Sequence, residues 1–177
     1  MKTVFLDRDG VLSVEKGYIK SKEELEIFPY TKDCIAAIHE KGYLAIVLTN
    51  QSGIARGYFT ERQIKEMNNY LIQKTGVDAV YYCPHYEKGI VSRYAVKCSC
   101  RKPETGMIWQ ACKDFNIEKQ SLKMSYMVGD RASDIRLGQN AGATSVLLES
   151  GYGTKRLEEE VKADLICKDL AEFVSML

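Results

Sequence analysis

Asp7 and Asp9, separated by one residue, stand at the end of a short apolar run, Val4-Phe5-Leu6, with Gly10 directly behind them. Carboxylates this close repel each other, so the pair calls for a cation. Thr49 closes a second apolar run, Asp130 closes a later one with Asp134 four residues on, and Lys102 stands just ahead of a proline. Taken singly, each reads more simply as a solvated loop end or Asx turn. Taken together, the acids, the hydroxyl and the lysine describe a site for a Mg2+-bound phosphate. Magnesium takes a few carboxylates plus phosphate and water oxygens, and an ammonium neutralises the phosphoryl charge.

A second constellation is Cys83-Pro84-His85, followed after twelve residues by Cys98-Ser99-Cys100. Three thiols and one imidazole in two short pairs match a closed tetrahedral Zn2+ site, structural rather than catalytic because no open ligand position is evident. The other reading, free thiols and a surface histidine, leaves the clustering unexplained. A metal there would pin a loop with little core of its own and deliver Arg101 and Lys102 to the crevice. Cys34, Cys112 and Cys167 lie in helix-like or strand-like stretches and read as small buried hydrophobes.

These residues need a scaffold. Short apolar runs at residues 4–6, 43–48, 77–82, 125–129 and 144–148, and a short edge strand at 164–166, alternate with amphipathic stretches. Thr31, after Pro29, is expected to cap a helix carrying Ile35 and Ile38 that ends at Gly42. Thr60-Glu61-Arg62-Gln63 is a capping-box pattern opening a helix to about Lys74. Pro103 is expected to begin a helix through Met107, Ile108, Ala111 and Phe115, and residues 133–140 to form another that Gly142 stops. A helix–strand–helix passage finishes the chain, while residues 12–28 and 83–101 read as loops. Alternating strands and helices argue for an α/β fold, an open, mostly parallel sheet with helices on both faces. Such sheets hold their ligand crevice beyond the carboxyl ends of the strands.

The 177 residues suit one domain spanning 1–177. A net charge of +1 and a pI near 7.5 give no reason to expect binding to nucleic acid or an anionic membrane. No apolar run approaches the roughly 18 residues that span a bilayer, and the N-terminus lacks a signal-peptide pattern. A cytoplasmic protein with reduced thiols is expected, acting as a monomer on a small molecule.

Asp7-Arg8-Asp9-Gly10, Thr49-Asn50, Lys102 and Gly129-Asp130-Arg131-Ala132-Ser133-Asp134 resemble, in order, the four motifs of the haloacid dehalogenase superfamily of phosphatases. The resemblance implies a Rossmann-like fold in which Asp7 is the nucleophile, forming an aspartyl phosphate. It implies that Asp9 is the general acid and base, and that Thr49 and Lys102 hold the phosphoryl oxygens. Asp7, Asp130 and the backbone carbonyl of Asp9 would bind Mg2+, with Asp134 behind them. Aspartate rather than threonine at position 9 favours a phosphatase over an ATPase.

The zinc loop running into Cys100-Arg101-Lys102-Pro103 is similar to a narrower group, the D-glycero-D-manno-heptose 1,7-bisphosphate phosphatases and the related histidinol-phosphate phosphatases, which lack a large cap domain. Residues 12–28 are likewise too few to fold alone, so specificity falls to loops. Glu15-Lys16-Gly17-Tyr18, the run from Thr49 through Asn50, Gln51, Ser52 and Arg56 to Gly57, and Tyr81-Tyr82-Cys83-Pro84-His85 resemble the heptose enzymes. That implies a sugar bisphosphate substrate and a place in heptose-nucleotide and lipopolysaccharide precursor biosynthesis. A second phosphate needs its own cation, for which Arg101 and then Arg56 are the candidates. Glu15, Asn50 and Gln51 are candidates for sugar hydroxyls, with Tyr18 and Ser52 beside them. An amino-alcohol phosphate such as histidinol phosphate would use Glu15 and Tyr18 instead. A phospho-acceptor receiver domain of signalling proteins also carries paired acids, a hydroxyl and a lysine, but gives Asp134 and the cysteine loop no role.

Overall fold

A computed structural model describes residues 1–153 and 161–177. Six strands form one sheet: β1 (Lys2–Leu6), β2 (Tyr43–Asn50), β3 (Ala79–Cys83), β4 (Tyr126–Gly129), β5 (Thr144–Leu148) and β6 (Leu165–Cys167). Among the described residues, five α-helices connect or flank them: α1 (Thr31–Glu40), α2 (Glu61–Thr75), α3 (Gly106–Asp114), α4 (Ala132–Ala141) and α5 (Leu170–Met176). Every pairing is parallel, and the spatial order is β3-β2-β1-β4-β5-β6. The order reverses beside β1, since β2 and β3 lie on one side and β4 to β6 on the other. A crevice opens at the carboxyl ends of strands where the order reverses, so the end of β1 is where a ligand site belongs.

The sheet is covered on both faces, which is why its strands are continuous apolar runs rather than alternating ones. Successive side chains of a strand point to opposite faces. Val4 and Leu6 therefore pack with Ile35 and Ile38 of α1, Met67 and Leu71 of α2, and Phe173 of α5. Phe5, between them, packs on the other side with Met107, Ile108 and Ala111 of α3 and Leu137 of α4.

Several local expectations hold. The Thr60–Gln63 capping box forms and α2 runs to Thr75, close to the expected Lys74, while Gly142 ends α4 in the left-handed conformation. The segment between β1 and α1 contains only isolated bridges, Asp9 with Ser13 and Ser13 with Ile27, so no cap domain covers the site from there. Cys34, Cys112 and Cys167 are buried in apolar surroundings.

Others shift. Thr31 is not the cap of α1: the cap position is Tyr30, and the Thr31 hydroxyl donates to the Leu12 carbonyl at 2.8 Å. Pro103 does not begin α3, because residues 99–106 first fold back on themselves, with Gly106 N donating to Ser99 O and Glu104 N to Arg101 O. The third strand starts two residues late, since Asp78 caps Ala45 N at 2.7 Å. A 3-10 helix at Lys119–Met124 had no sequence signal. The helix expected ahead of the edge strand lies outside the described residues.

Candidate active site

Beyond Leu6 the chain leaves the sheet and carries Asp7, itself buried, to the mouth of the crevice. The Lys102 ammonium is buried against it. It lies 2.8 Å from Asp7 Oδ1 and 2.7 Å from Asp134 Oδ1, and donates to the Leu48 carbonyl at 2.8 Å. Burial works against its charge, but Asp134 and Asp7 outweigh that and hold its pKa above the ordinary value. Asn50 fixes the Lys102 backbone from both sides, accepting from its N–H at 3.0 Å and donating to its carbonyl at 3.2 Å.

Asp7, Asp130 and Asp134 gather within 4.8 Å of one another. Burial pushes Asp7 up to about 6, reinforced by Asp134 and Asp9 and opposed by Lys102. Burial and the charges of Asp7 and Asp134 push Asp130 up to about 8, although Tyr152 N donates to its Oδ2 at 2.8 Å. Its Oδ1 is buried without a hydrogen-bond partner; the nearest cation, Arg131 Nε, is 3.9 Å away. Acids held this close with an oxygen left over suit a hard divalent ion. Gly10 lies against Asp130: at φ +85° it holds a conformation other residues resist, and a Cβ there would sit 2.4 Å from Asp130 Oδ2.

The crevice has a volume of about 280 Å³ and a largely polar lining. Asp7, Asp9, Thr49 and Lys102 meet at its base, with Glu15, Tyr18, Asn50, Gln51, Ser52 and Arg101 around them. Three of the residues expected to face sugar hydroxyls line the crevice and are also engaged within the protein. Glu15 accepts from Gly17 N and pairs with Arg131 at 2.7 Å, Asn50 holds Lys102, and Gln51 donates to Thr49 Oγ1 at 2.9 Å and Asp9 Oδ2 at 3.3 Å. Arg56 does not line the crevice; its guanidinium stacks 4.1 Å from the Tyr86 ring, behind Tyr18. Arg101 stands over the same Tyr86 ring at 5.2 Å and donates to the His85 carbonyl.

Sequence reasoning missed Arg8, Arg131 and Tyr152. Arg131 reaches the crevice between Glu15 and the Tyr152 ring, 4.3 Å beneath it. Burial opposes its charge, but Glu15 keeps its pKa above the ordinary value. Its only signal was its place inside the quoted Gly129–Asp134 motif. Arg8 carried the same kind of signal between the two leading aspartates.

Cys83, His85, Cys98 and Cys100 converge as a second cluster. The Sγ–Sγ separations are 3.1–3.5 Å, and His85 Nδ1 lies 3.3 Å from Cys100 and 3.7 Å from Cys83. Thiolates about 2.3 Å from a tetrahedral Zn2+ would be roughly 3.8 Å apart, so the four donors already outline such a site. Hydrogen bonds from Cys83 and His85 lower the Cys100 thiol to about 5, and all six cysteines are free of disulfides. The loop is also tied to the segment after β2: Ile90 N and Val91 N both donate to Ala55 O, and Gly89 passes too close to Ala55 for a Cβ.

Comparison with known proteins agrees with this geometry. A model of the HAD-hydrolase-like family matches residues 99–173. The chain is 42% identical over 180 residues to the D-glycero-beta-D-manno-heptose-1,7-bisphosphate 7-phosphatase of Haemophilus ducreyi, covering 98% of this chain and 96% of that protein. It is 40% identical over 168 residues to the alpha-anomer counterpart, D-glycero-alpha-D-manno-heptose-1,7-bisphosphate 7-phosphatase of Photorhabdus laumondii, covering 90% and 88%. Its fold superposes with a TM-score of 0.80 at 30% identity on the D,D-heptose 1,7-bisphosphate phosphatase of B. bronchiseptica, crystallised with magnesium and phosphate, over 99% and 97% of the two chains. The chain thus belongs to the D-glycero-D-manno-heptose-1,7-bisphosphate 7-phosphatase family of haloacid dehalogenase-like hydrolases.

Proposed function

We propose that residues 1–177 form one phosphatase domain that removes the C7 phosphate from D-glycero-D-manno-heptose 1,7-bisphosphate in heptose-nucleotide and lipopolysaccharide precursor biosynthesis. The observation carrying this is the Asp7–Lys102–Asp134 cluster beside Asp130 at the end of β1, in a chain of this family. Asp7 attacks phosphorus, and the bond to the sugar oxygen breaks as that oxygen takes a proton from Asp9. A water then attacks the aspartyl phosphate and gives its proton to Asp9, freeing phosphate and Asp7. Lys102 and Thr49 orient the phosphoryl oxygens, and the Lys102 charge offsets charge that builds there. Asp7, Asp130 and the Asp9 carbonyl would hold Mg2+, whose chemistry is to neutralise the phosphoryl group and fix it for in-line attack. The cysteine–histidine cluster would hold a structural Zn2+.

For specificity, Arg101 is the cation best placed for the distal phosphate, with Arg131 across the crevice. Glu15 is neutralised by Arg131, which removes the anionic pocket an amine would need and disfavours histidinol phosphate. The chain is read as a cytoplasmic monomer; no helix among the described residues is long and apolar enough to cross a membrane. The test is phosphate release, with Mg2+, from both heptose bisphosphate anomers and histidinol phosphate in parallel, alongside Asp7→Asn. A heptose preference abolished by Asp7→Asn is expected. Faster turnover of histidinol phosphate would overturn the specificity, and an active Asp7→Asn would overturn the nucleophile.

A further inference from the structure

Arg8 is among the largest fully buried side chains of the protein, at 1% exposure. A guanidinium carries its charge at any physiological pH and is costly to bury, so an apolar residue of similar volume would serve a packing role better. Its polar contacts have one destination. Nε donates to Asp9 Oδ1 and Oδ2 at 3.0 and 3.1 Å, and Nη2 donates to Oδ2 at 2.8 Å, while Nη1 has no partner. The Arg8 backbone N–H donates to Asp7 Oδ1 at 2.8 Å, so one residue touches both leading aspartates, by main chain and by side chain. Ser13 Oγ and Gln51 Nε2 complete the ring around the Asp9 carboxylate at 3.2 and 3.3 Å.

We propose that Arg8 is a positioning residue for phosphoryl transfer, its buried fork fixing the Asp9 carboxylate where it exchanges protons with the leaving oxygen and the incoming water. The proposal rests on the reading of Asp7 as nucleophile and Asp9 as acid and base. An aspartate has two freely turning side-chain bonds, and a general acid works only within about 2.6–3.2 Å of its target oxygen. A planar bidentate partner removes that freedom in a way a single ammonium cannot.

The consequence is a dependence on the leaving group. A sugar alkoxide must be protonated as it departs, whereas p-nitrophenolate is stable without a proton. The experiment is rapid-quench measurement of phosphoenzyme formation in wild type, Asp7→Asn, Arg8→Lys and Arg8→Met, with heptose 1,7-bisphosphate and with p-nitrophenyl phosphate. In both Arg8 variants formation from the sugar phosphate should fall about 100-fold, the scale of a misplaced acid. Formation from p-nitrophenyl phosphate should stay close to the wild-type rate, giving a burst of one equivalent followed by slow turnover, because hydrolysis still needs Asp9. Equal slowing with both substrates, or slowing with neither, overturns the proposal. Failure of both variants to fold, judged by circular dichroism, assigns Arg8 to the core and overturns it as well. Absence of a phosphoenzyme in wild type would instead overturn the Asp7 reading beneath it.

Discussion

Lys102→Met isolates what one buried charge does for this fold. The substitution keeps the aliphatic stem and removes an ammonium that is 2% exposed and touches Asp7 and Asp134, which are 9% and 0% exposed. Removing one partner of a buried ion pair costs about 3–5 kcal/mol, because the remaining charge is left uncompensated. At about 2–4 °C per kcal/mol for a chain of this size, the melting temperature should fall by roughly 6–20 °C. The loss should depend on pH in a defined direction. Asp7, one of the two carboxylates that Lys102 touches, is raised to about 6 in the folded protein, so at pH 5 it is largely protonated and less charge is stranded. At pH 8 Asp7 is ionised and the cost returns. Urea unfolding at pH 5 and pH 8, in Mg2+-free buffer so that no other cation substitutes, measures the difference. In an Asp134→Asn background, Lys102→Met should cost less by about 1–3 kcal/mol, the coupling of residues in direct contact. A loss below about 1 kcal/mol, or one equal at the two pH values and additive with Asp134→Asn, would refute the electrostatic reasoning. Lys102 would then be held for its stem alone.

Three further outcomes are expected. Because Asp7 and Asp130 are raised from 3.8, the folded Mg2+-free protein binds more protons than the unfolded chain between about pH 4 and 8, so its stability should fall as pH rises through that window. Added Mg2+ should therefore raise the melting temperature more at pH 8 than at pH 5, and a pH-independent shift would contradict the carboxylate cluster as its site. Gly10→Ala forces a side chain into a left-handed position and against Asp130 Oδ2. It should cost about 1–2 kcal/mol from the backbone alone and raise the Mg2+ concentration needed for half-maximal phosphate release. Cys98→Ser should lower the zinc content found by elemental analysis and destabilise the protein by several kcal/mol, as expected where metal binding is folding energy. An unchanged melting temperature would argue against a structural metal.

Much of this protein is determined by its sequence, and for a local reason. Strand-length apolar runs, the Thr60–Gln63 capping box, the paired aspartates after Val4-Phe5-Leu6 and the close spacing of Cys83, His85, Cys98 and Cys100 are patterns within a few residues of chain. They announce strands, a helix start, a charged strand end and a ligand cluster without reference to anything distant. What the chain cannot state locally is which loop faces which. The order β3-β2-β1-β4-β5-β6 brings Lys102 under Leu48, 54 residues earlier, and Arg131 onto Glu15, 116 residues earlier. The same tertiary arrangement sets Asn50 on the Lys102 backbone, pairs Glu15 with Arg131 and stacks Arg56 on Tyr86. Composition likewise leaves Arg8 looking like any charged residue beside a turn; only the folded structure shows it buried, with its fork on the neighbouring Asp9. Topology selects the long-range pairings, because a buried charge such as Lys102 must find its partners wherever the fold puts them.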